Sequence, residues 1–288
     1  MNAAQVDLDK SHIEKVLSGI SIPPQPKILV ALQKERQRGF PNLNNVANLI
    51  STDVGLSAMV LKTINSPFYG LPQKLNSIQQ AVMLLGADKL MVIVTAAILR
   101  ETIRGKASIN LDRFWNRATD VANICLRLAR HCHVDDVDDV YALGLFHDSG
   151  IAMLARKFEN YKEAQTLANT TQNRSLAQVE EDLFSTNHAI IGYYLSKSWY
   201  LPDDISHVIR DHHDLKQLFK SDEASVRRND LMAILRMASN VFHAYDRVSA
   251  EPEWALIRDE VLEQLGLSEA EYDDIELDVH DALSKNRT

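Results

Sequence analysis

The sequence predicts an all-α fold, in which many short helices pack as a bundle. Apolar residues recur at spacings of three and four along almost the whole chain, which is typical of one buried helix face. The segments between them carry helix-capping residues, glycines and prolines, and not the alternating pattern of strands. The longest nearly pure apolar run, Leu90 to Leu99, is too short to span a bilayer and indicates a buried helix.

Composition and charge narrow the class of protein. The 288 residues are 45% hydrophobic and 24% charged, enough for a sizeable core in one large domain or two smaller ones. The formal net charge of −8 removes the overall attraction to phosphate backbones, which argues against nucleic acid as a partner. The first 18 residues carry acidic side chains and no apolar leader, so we expect a cytoplasmic protein.

A proline-rich segment precedes the first helix of the body. The segment Ile22 to Pro26 contains three prolines and predicts a rigid, extended stretch, after which the first amphipathic helix of the body begins near Ile28. A short polar helix is predicted before it, around Asp9 to Leu17.

Two helices then follow at close spacing. Leu43 to Ile50 keeps the helical apolar pattern, and Asp53 is expected to cap a second helix that runs through Ile64. Such a pair also suggests a helix-turn-helix that binds DNA. Its recognition helix, Leu56 to Asn65, offers only Lys62 as a basic residue, so we favour core packing.

A capping-box pattern marks the next helix start. Ser77 and Gln80 stand at capping-box spacing in front of an apolar run, and Gly86 is expected to end that helix. Asp88 is then expected to cap the apolar helix Leu90 to Ile103.

A polar connection at Gly105 to Ile109 suggests the boundary between two subdomains, residues 1–107 and residues 108–288. A long helix is expected to start near Asn110, and its apolar stripe includes both cysteines of the chain, Cys125 and Cys132. We therefore expect both thiols to be reduced and packed in the core.

Two more helix starts are predicted in this second part. The acidic stretch Asp135 to Asp139 suits the N-terminus of a helix, where carboxylates favour the helix dipole. Ser268 and Glu271 form another capping-box pattern near the end of the chain.

Three histidines have positions that direct them inward. His188 lies on an apolar stripe just after a cap at Thr186 or Asn187, and His212 lies on the apolar stripe of a helix that Pro202 and Asp203 begin. His147 follows an apolar turn and precedes Ser149-Gly150, where we expect the backbone to break and aim neighbouring side chains at one place.

Together with Asp148 and His213, these histidines predict one shared site. Buried imidazoles and a carboxylate are costly unless they satisfy each other or a metal ion. Imidazole and carboxylate are ligands of divalent transition metals, so iron, manganese, zinc and nickel are the candidates. The spacing alone leaves a metal site and a purely polar site open.

The residues around this site resemble those of a known superfamily. Leu145 to Gly150, with the sequence Leu-Phe-His-Asp-Ser-Gly, resembles the signature of the HD metal-dependent phosphohydrolases. His188 with Gly192, and then His212-His213-Asp214, resembles the HD-GYP branch of that superfamily. Ile151 stands where HD-GYP enzymes carry a lysine.

Two further positions of the superfamily pattern differ in this chain. The superfamily has a histidine about thirty residues before the His-Asp doublet and an aspartate late in the chain. Arg117 stands near the first position and Asn240 at the second. A permanent positive charge at Arg117 and the loss of an anionic ligand at Asn240 would weaken a dinuclear centre, the arrangement that activates water for phosphodiester hydrolysis.

The front half resembles a more specific family. The proline segment Ile22 to Pro26, the cap Asp53 and the blocks Asn65 to Gly70 and Ser77 to Gly86 closely resemble the HDOD family, the HD-related output domain. The resemblance runs from about residue 15 to about residue 245. It implies an N-terminal helical subdomain packed on a degenerate HD-like helical subdomain, followed by a C-terminal extension.

The resemblance also implies a function. HDOD proteins serve as output or scaffold modules in bacterial signalling, linked to cyclic-di-GMP, two-component or chemotaxis systems. We therefore expect a noncatalytic signal-transduction module whose partners are proteins of such systems.

Two alternatives stay open. The first is a metal-dependent phosphohydrolase that acts on a phosphodiester or nucleotide with one metal ion. Its ligands would come from His147, Asp148, His188, His212 and His213, and Arg117 and Asn240 would bind the substrate or another anion. The second is an ion held by the same cluster for structural reasons, without turnover.

Overall fold

A computed structural model describes residues 17, 19–66, 71–134, 137–171, 174–214, 226–247, 251 and 253–287. All the regular secondary structure of these residues is helical, which confirms the predicted all-α fold. The short helix predicted around Asp9 to Leu17 lies almost wholly outside the described residues, as do Asp135 and Asp136 of the acidic stretch.

The α-helices in chain order are α1 (Lys27–Arg36), α2 (Leu43–Ser51), α3 (Val54–Ile64), α4 (Ile78–Leu85), α5 (Ala87–Thr102), α6 (Leu111–His131), α7 (Val137–Phe146), α8 (Ser149–Lys157), α9 (Tyr161–Thr170), α10 (Leu176–Phe184), α11 (His188–Ser198), α12 (Asp203–Asp211), α13 (Val226–Arg247), α14 (Arg258–Leu265) and α15 (Glu269–Arg287). A 3₁₀ turn, Trp254–Leu256, precedes α14.

The starts of the front helices follow the predicted caps. The Asp53 carboxylate accepts the backbone N–H of Leu56, and the Ser77 hydroxyl accepts that of Gln80. Each bond satisfies one of the backbone donors that a helix start leaves free. Val46, Ile50, Val60 and Ile64 are fully buried, so both helices of the suspected helix-turn-helix contribute to the core.

The predicted cap at Asp88 was wrong. Helix α5 already begins at Ala87, directly after Gly86, whose φ of 82° ends one helix and starts the next. Asp88 therefore lies inside the first turn and makes no capping bond. Its carboxylate instead pairs with Arg36 at 3.0 Å, where it also faces the positive end of the helix dipole.

Asn65 closes the loop that follows α3. Its side-chain amide donates to the carbonyl of Leu75 and its side-chain oxygen accepts the N–H of Leu75, at 2.8 and 2.7 Å. These two hydrogen bonds to one residue ten positions away hold the ends of the loop together. Residues 67–70 of the same motif lie outside the described residues.

Glycines allow the helices of the second half to approach closely. A Cβ at Gly144 of α7 would lie 2.6 Å from the Cα of Ala122 in α6. A Cβ at Gly150 of α8 would lie 2.7 Å from the carbonyl carbon of His188, at the start of α11. Neither position has room for a side chain, so both helix pairs depend on glycine.

The predicted break of the backbone at Ser149-Gly150 was misplaced. These two residues begin α8, and the chain leaves α7 one step earlier, at His147 and Asp148. The signal came from a glycine, which the sequence could not assign to a turn or to close helix packing. Here the glycine serves close packing, and the turn itself carries the two site residues.

Helix α13 lies at the centre of the second half and packs on α6, α7, α12, α14 and α15. Ser268 and Glu271 form the predicted capping box at the start of α15. Helix α5 of the front half packs on α7, so the two predicted subdomains share a contact, and their boundary at residues 107 and 108 stays a prediction. None of the helices in the described part of the chain is both long and apolar enough to cross a membrane.

Candidate metal centre

Three helix ends meet at one place and carry the predicted site residues. His147 and Asp148 lie between α7 and α8, His188 is the first residue of α11, and His212 and His213 follow the last residue of α12. His188, His212 and His147 are buried, whereas the side chain of Asp148 is 32% exposed. The site thus has a closed interior and an opening at the carboxylate.

Two of the histidines are oriented by backbone carbonyls. His147 Nδ1 lies 2.8 Å from the carbonyl oxygen of Gly144, and His212 Nδ1 lies 2.7 Å from that of Ile209. A carbonyl oxygen can only accept, so Nδ1 of each ring must carry the proton. In a neutral ring the Nε2 atom then presents a lone pair, which is the form that binds a metal ion.

His188 is oriented by a carboxylate that the sequence analysis missed. Glu180 of α10 is fully buried, and its Oε2 accepts both the backbone N–H of His188 at 2.8 Å and the Nδ1–H of its ring at 2.6 Å. The Tyr161 hydroxyl donates to the other oxygen of the same carboxylate. A signal was available, since Glu180 lies three residues after Ala177 and four before Phe184, on the buried face of its helix.

His213 is oriented by a second carboxylate, Glu253, which the sequence analysis also missed. Its Nδ1 lies 3.1 Å from Oε2 of Glu253, and the same oxygen accepts a hydrogen bond from Arg236 at 2.8 Å. Burial opposes the charge of Glu253, but His213 and Arg236 outweigh it and lower the pKa of the carboxyl to about 2. No periodic pattern links Glu253 to the histidines forty residues earlier, so sequence reasoning had no signal by which to find it.

The Nε2 atoms converge beside the carboxylate of Asp148. The ligand atoms of Asp148, His188, His212 and His213 all lie within 4.8 Å of one another. Oδ1 of Asp148 lies 3.5 Å from Nε2 of His188 and 3.7 Å from that of His212. His147 is outside this group of four, although its Nε2 lies 3.3 Å from Oδ2 of Asp148.

Two observations show that these residues fit a cation. Nε2 of His212 is buried and has no hydrogen-bond partner, although a buried polar atom of this kind is normally satisfied. The Nε2 atoms of His188 and His213 lie only 3.0 Å apart. Because Nδ1 of each ring bonds a carboxylate, two neutral rings would point lone pairs at each other unless a proton or a metal ion lay between them.

The electrostatics of the cluster also favour positive charge. Burial opposes ionisation of Asp148, but the histidines around it hold the pKa of its carboxyl well below the usual range. Burial likewise opposes the charge of His188, but Glu180 outweighs it and raises the pKa of the imidazole to about 9. Burial and the neighbouring His213 lower the pKa of His212 well below its ordinary value, so that ring stays neutral.

The two positions that depart from the superfamily pattern have other partners. Arg117 pairs with Asp246 at 3.3 Å and lies over the ring of Phe242, and burial lowers its pKa. The buried Asn240 donates to the Tyr272 hydroxyl at 2.8 Å and accepts the backbone N–H of Glu251 at 2.9 Å. Their predicted role in anion binding stays a prediction.

The helical scaffold and the His-Asp cluster define an HD-like helical protein. Within that class, the profile of the HDOD domain matches residues 22–215, more than half of the chain. The chain belongs to the HDOD family.

This chain resembles a solved structure over nearly the whole length of both chains, but it matches its curated relatives over only part of their length. An HDOD domain protein with unknown function from Geobacter sulfurreducens has the same fold, with a TM-score of 0.68 and 23% identity over 95% of this chain and 96% of that one. An uncharacterized protein of Treponema pallidum is 27% identical over 199 residues, which cover 67% of this chain and 38% of the relative. The cyclic di-GMP phosphodiesterase CdgJ of Vibrio cholerae is 25% identical over 124 residues, 42% of this chain and 28% of that protein. The chain thus matches less than half the length of either curated relative.

Proposed function

We propose that this chain is a noncatalytic output or scaffold module of bacterial signalling, and that its His-Asp cluster holds one divalent transition-metal ion without turnover. Membership of the HDOD family supports the signalling role. The similarity to CdgJ, a protein named for cyclic-di-GMP hydrolysis, supports a link to that signalling system, with other proteins as the partners. Two-component and chemotaxis proteins are the other partners we consider.

The main observation in favour of a noncatalytic role is that the side-chain amide of Asn240 is hydrogen-bonded within the fold. Both ends of its amide are used, one by Tyr272 and one by the backbone of Glu251, so it supports the fold. As a neutral amide it also lacks the negative charge of the aspartate that the superfamily carries at this position. Arg117 supplies a cation where a further imidazole would be needed. The donors that remain suffice for one ion and fall short of the two-ion arrangement that positions and activates water.

Asp148, His188, His212 and His213 would hold the ion, with His147 beside Asp148 as a further donor. A bound ion would supply Lewis acidity and fix the four side chains relative to one another. Iron, manganese, zinc and nickel all accept imidazole and carboxylate. The four imidazole rings are oriented through Nδ1 by groups outside the cluster, namely the carbonyl oxygens of Gly144 and Ile209 and the carboxylates of Glu180 and Glu253.

The experiment combines metal content with hydrolysis. Full-length protein purified without chelator is analysed for metals, and then assayed with bis(p-nitrophenyl) phosphate and cyclic-di-GMP. We expect stoichiometric metal in the wild type and in the exposed control His131→Ala, and less metal in His212→Ala. None of the three proteins is expected to hydrolyse either substrate. A folded wild-type protein without metal, or equal metal content in the two variants, would refute the metal centre. Turnover by the wild type would refute the noncatalytic role.

One observation favours a second candidate, a mononuclear phosphohydrolase. Asp148 is partly exposed, and although burial, the larger effect, lowers the pKa of Arg117, the charge of Asp148 raises it. A phosphate at this opening could bind an ion that Asp148 would help to hold, and the guanidinium of Arg117 could bind it at two atoms. Hydrolysis that is lost in Asp148→Ala and weakened in substrate affinity by Arg117→Lys would favour this candidate.

A further inference from the structure

The C-terminal segment reaches the cluster from beyond the family match. The match ends at residue 215, whereas Glu253 lies in the stretch between α13 and α14. Its Oε2 lies 3.1 Å from Nδ1 of His213, which faces away from the centre of the cluster. A residue outside the matched domain thus sets the orientation of a residue in the candidate metal site.

Glu253 is held from the other side by a buried arginine. The Arg236 side chain is 1% exposed and donates to Oε2 of Glu253 at 2.8 Å. It also donates to the carbonyl oxygen of His212 at 3.2 Å. Arg236 therefore joins the backbone of one candidate ligand to the carboxylate that orients the next.

The stretch around Glu253 is docked mainly by apolar contacts. Trp254 and Ile257 are buried, and the Trp254 ring stacks on Tyr272 of α15 with centroids 5.6 Å apart. Asn240 of α13 binds the backbone of Glu251 just before them. Glu253 can meet His213 and Arg236 only while this stretch stays docked.

We propose that Glu253 is a positioning residue that links the metal centre to the docking of the C-terminal segment, residues 251 and 253–265. This rests on the proposed metal centre. A metal ion on Nε2 of His213 makes its Nδ1–H a stronger donor and so strengthens the bond to Glu253. Metal binding then stabilises the docked segment, and docking raises metal affinity by the same factor, because the two equilibria are linked.

Through this link, metal binding in the cluster would change the surface of the protein around α14. The ion would not need to react in order to act, because its presence would change how firmly α14 is held on α13. A partner protein that recognises the docked or the released segment would then respond to the metal. Such a device suits a module that transmits a signal and does not catalyse a reaction.

The test measures hydrogen exchange in α14 and zinc affinity in the full-length protein. In the wild type, Zn²⁺ added after chelator treatment is expected to slow amide exchange in α14. Glu253→Gln, which keeps the size but weakens the acceptor, is expected to lower zinc affinity about 10–100-fold and to abolish the change in exchange. Glu260→Gln, on the exposed face of α14, is the matched control and is expected to behave as the wild type.

A second variant tests the link by a change in the docked segment and not in the residue that contacts His213. Trp254→Ala loosens the segment without touching the cluster, and it is expected to lower zinc affinity as well, with its fold checked by circular dichroism. Unchanged affinity and exchange in both variants, together with tight zinc binding by the wild type, would overturn the link and leave the metal centre standing. Wild-type protein that binds none of zinc, iron, manganese and nickel would overturn the metal centre itself, and the link with it.

Discussion

Nε2 of His188 and Nε2 of His213 lie 3.0 Å apart, and the Nδ1 atom of each ring bonds a buried or half-buried carboxylate. Each carboxylate fixes the proton of its ring on the outer nitrogen, so the inner nitrogens face each other as acceptors. Only a shared proton or a cation relieves that arrangement. The pair is therefore the clearest sign that the cluster is built to hold positive charge.

Glu180→Gln tests whether the buried carboxylate tunes His188. The amide can still accept from the ring but carries no charge, so metal affinity is expected to fall about 10–100-fold, as measured by competition with a chromogenic zinc chelator. Glu163→Gln, an exposed glutamate in α9, is the control. Equal affinity in the two variants would mean that Glu180 serves the fold alone.

Gly150→Ala tests the close contact that brings α8 against α11. The added methyl group would overlap the backbone of His188, and since backbone cannot move aside cheaply, the free energy of unfolding is expected to fall by about 1–3 kcal/mol or more. Urea unfolding measures the change. Gly55→Ala in α3 is the control: its Cβ would meet only the Asp53 carboxylate at 3.3 Å, and we expect little loss there. Similar stability of the two variants would contradict the proposed contact.

Asn240→Ala tests the structural use of Asn240. The substitution leaves the buried-side N–H of Glu251 without its side-chain acceptor and removes the donor to the Tyr272 hydroxyl, which keeps only its bond to Glu276. The free energy of unfolding is therefore expected to fall by about 1–3 kcal/mol. Thermal and urea unfolding both report this. Wild-type stability in Asn240→Ala would show that the amide is free for another role, such as anion binding.

Thiol reactivity tests the predicted burial of the cysteines. Burial, with the nearby charges of Asp230 and Glu271, raises the pKa of Cys132 to about 11. Because the thiolate is the reactive form, alkylation of Cys132 in a Cys125→Ser background should be slow at pH 8 and rise until about pH 11. The fully buried Cys125 should react only on unfolding. Cys132 is only half-buried, so the predicted burial in the core holds fully for Cys125 alone. A rate for Cys132 that levels off near pH 9 would contradict even this partial burial.

Local signals predicted the helices well because caps and apolar spacing act within one or two turns. Asp53, Ser77 and Ser268 each begin a helix as predicted, whereas Asp88 showed that an acidic residue near a helix start need not be its cap. Gly150 was noticed for the wrong reason, since a sequence does not reveal which backbone a glycine will touch.

The site could be predicted in part for the same reason. The inward histidines were found from their own helical stripes, and their convergence depends on how α7, α11 and α12 pack. The helical stripe of Glu180 indicates that it is buried, but its pairing with His188, 8 positions away, leaves no local pattern, and neither does the pairing of Glu253 with His213, 40 positions away. The outer carboxylates of the cluster therefore required the three-dimensional structure.

The most direct test of the central proposal is a phosphodiesterase assay on metal-loaded, full-length protein whose metal content has been measured on the same sample. We predict one ion per chain and no turnover of bis(p-nitrophenyl) phosphate or cyclic-di-GMP above a metal-only blank. Two ions per chain, with hydrolysis that disappears in His147→Ala and Asp148→Ala, would contradict it.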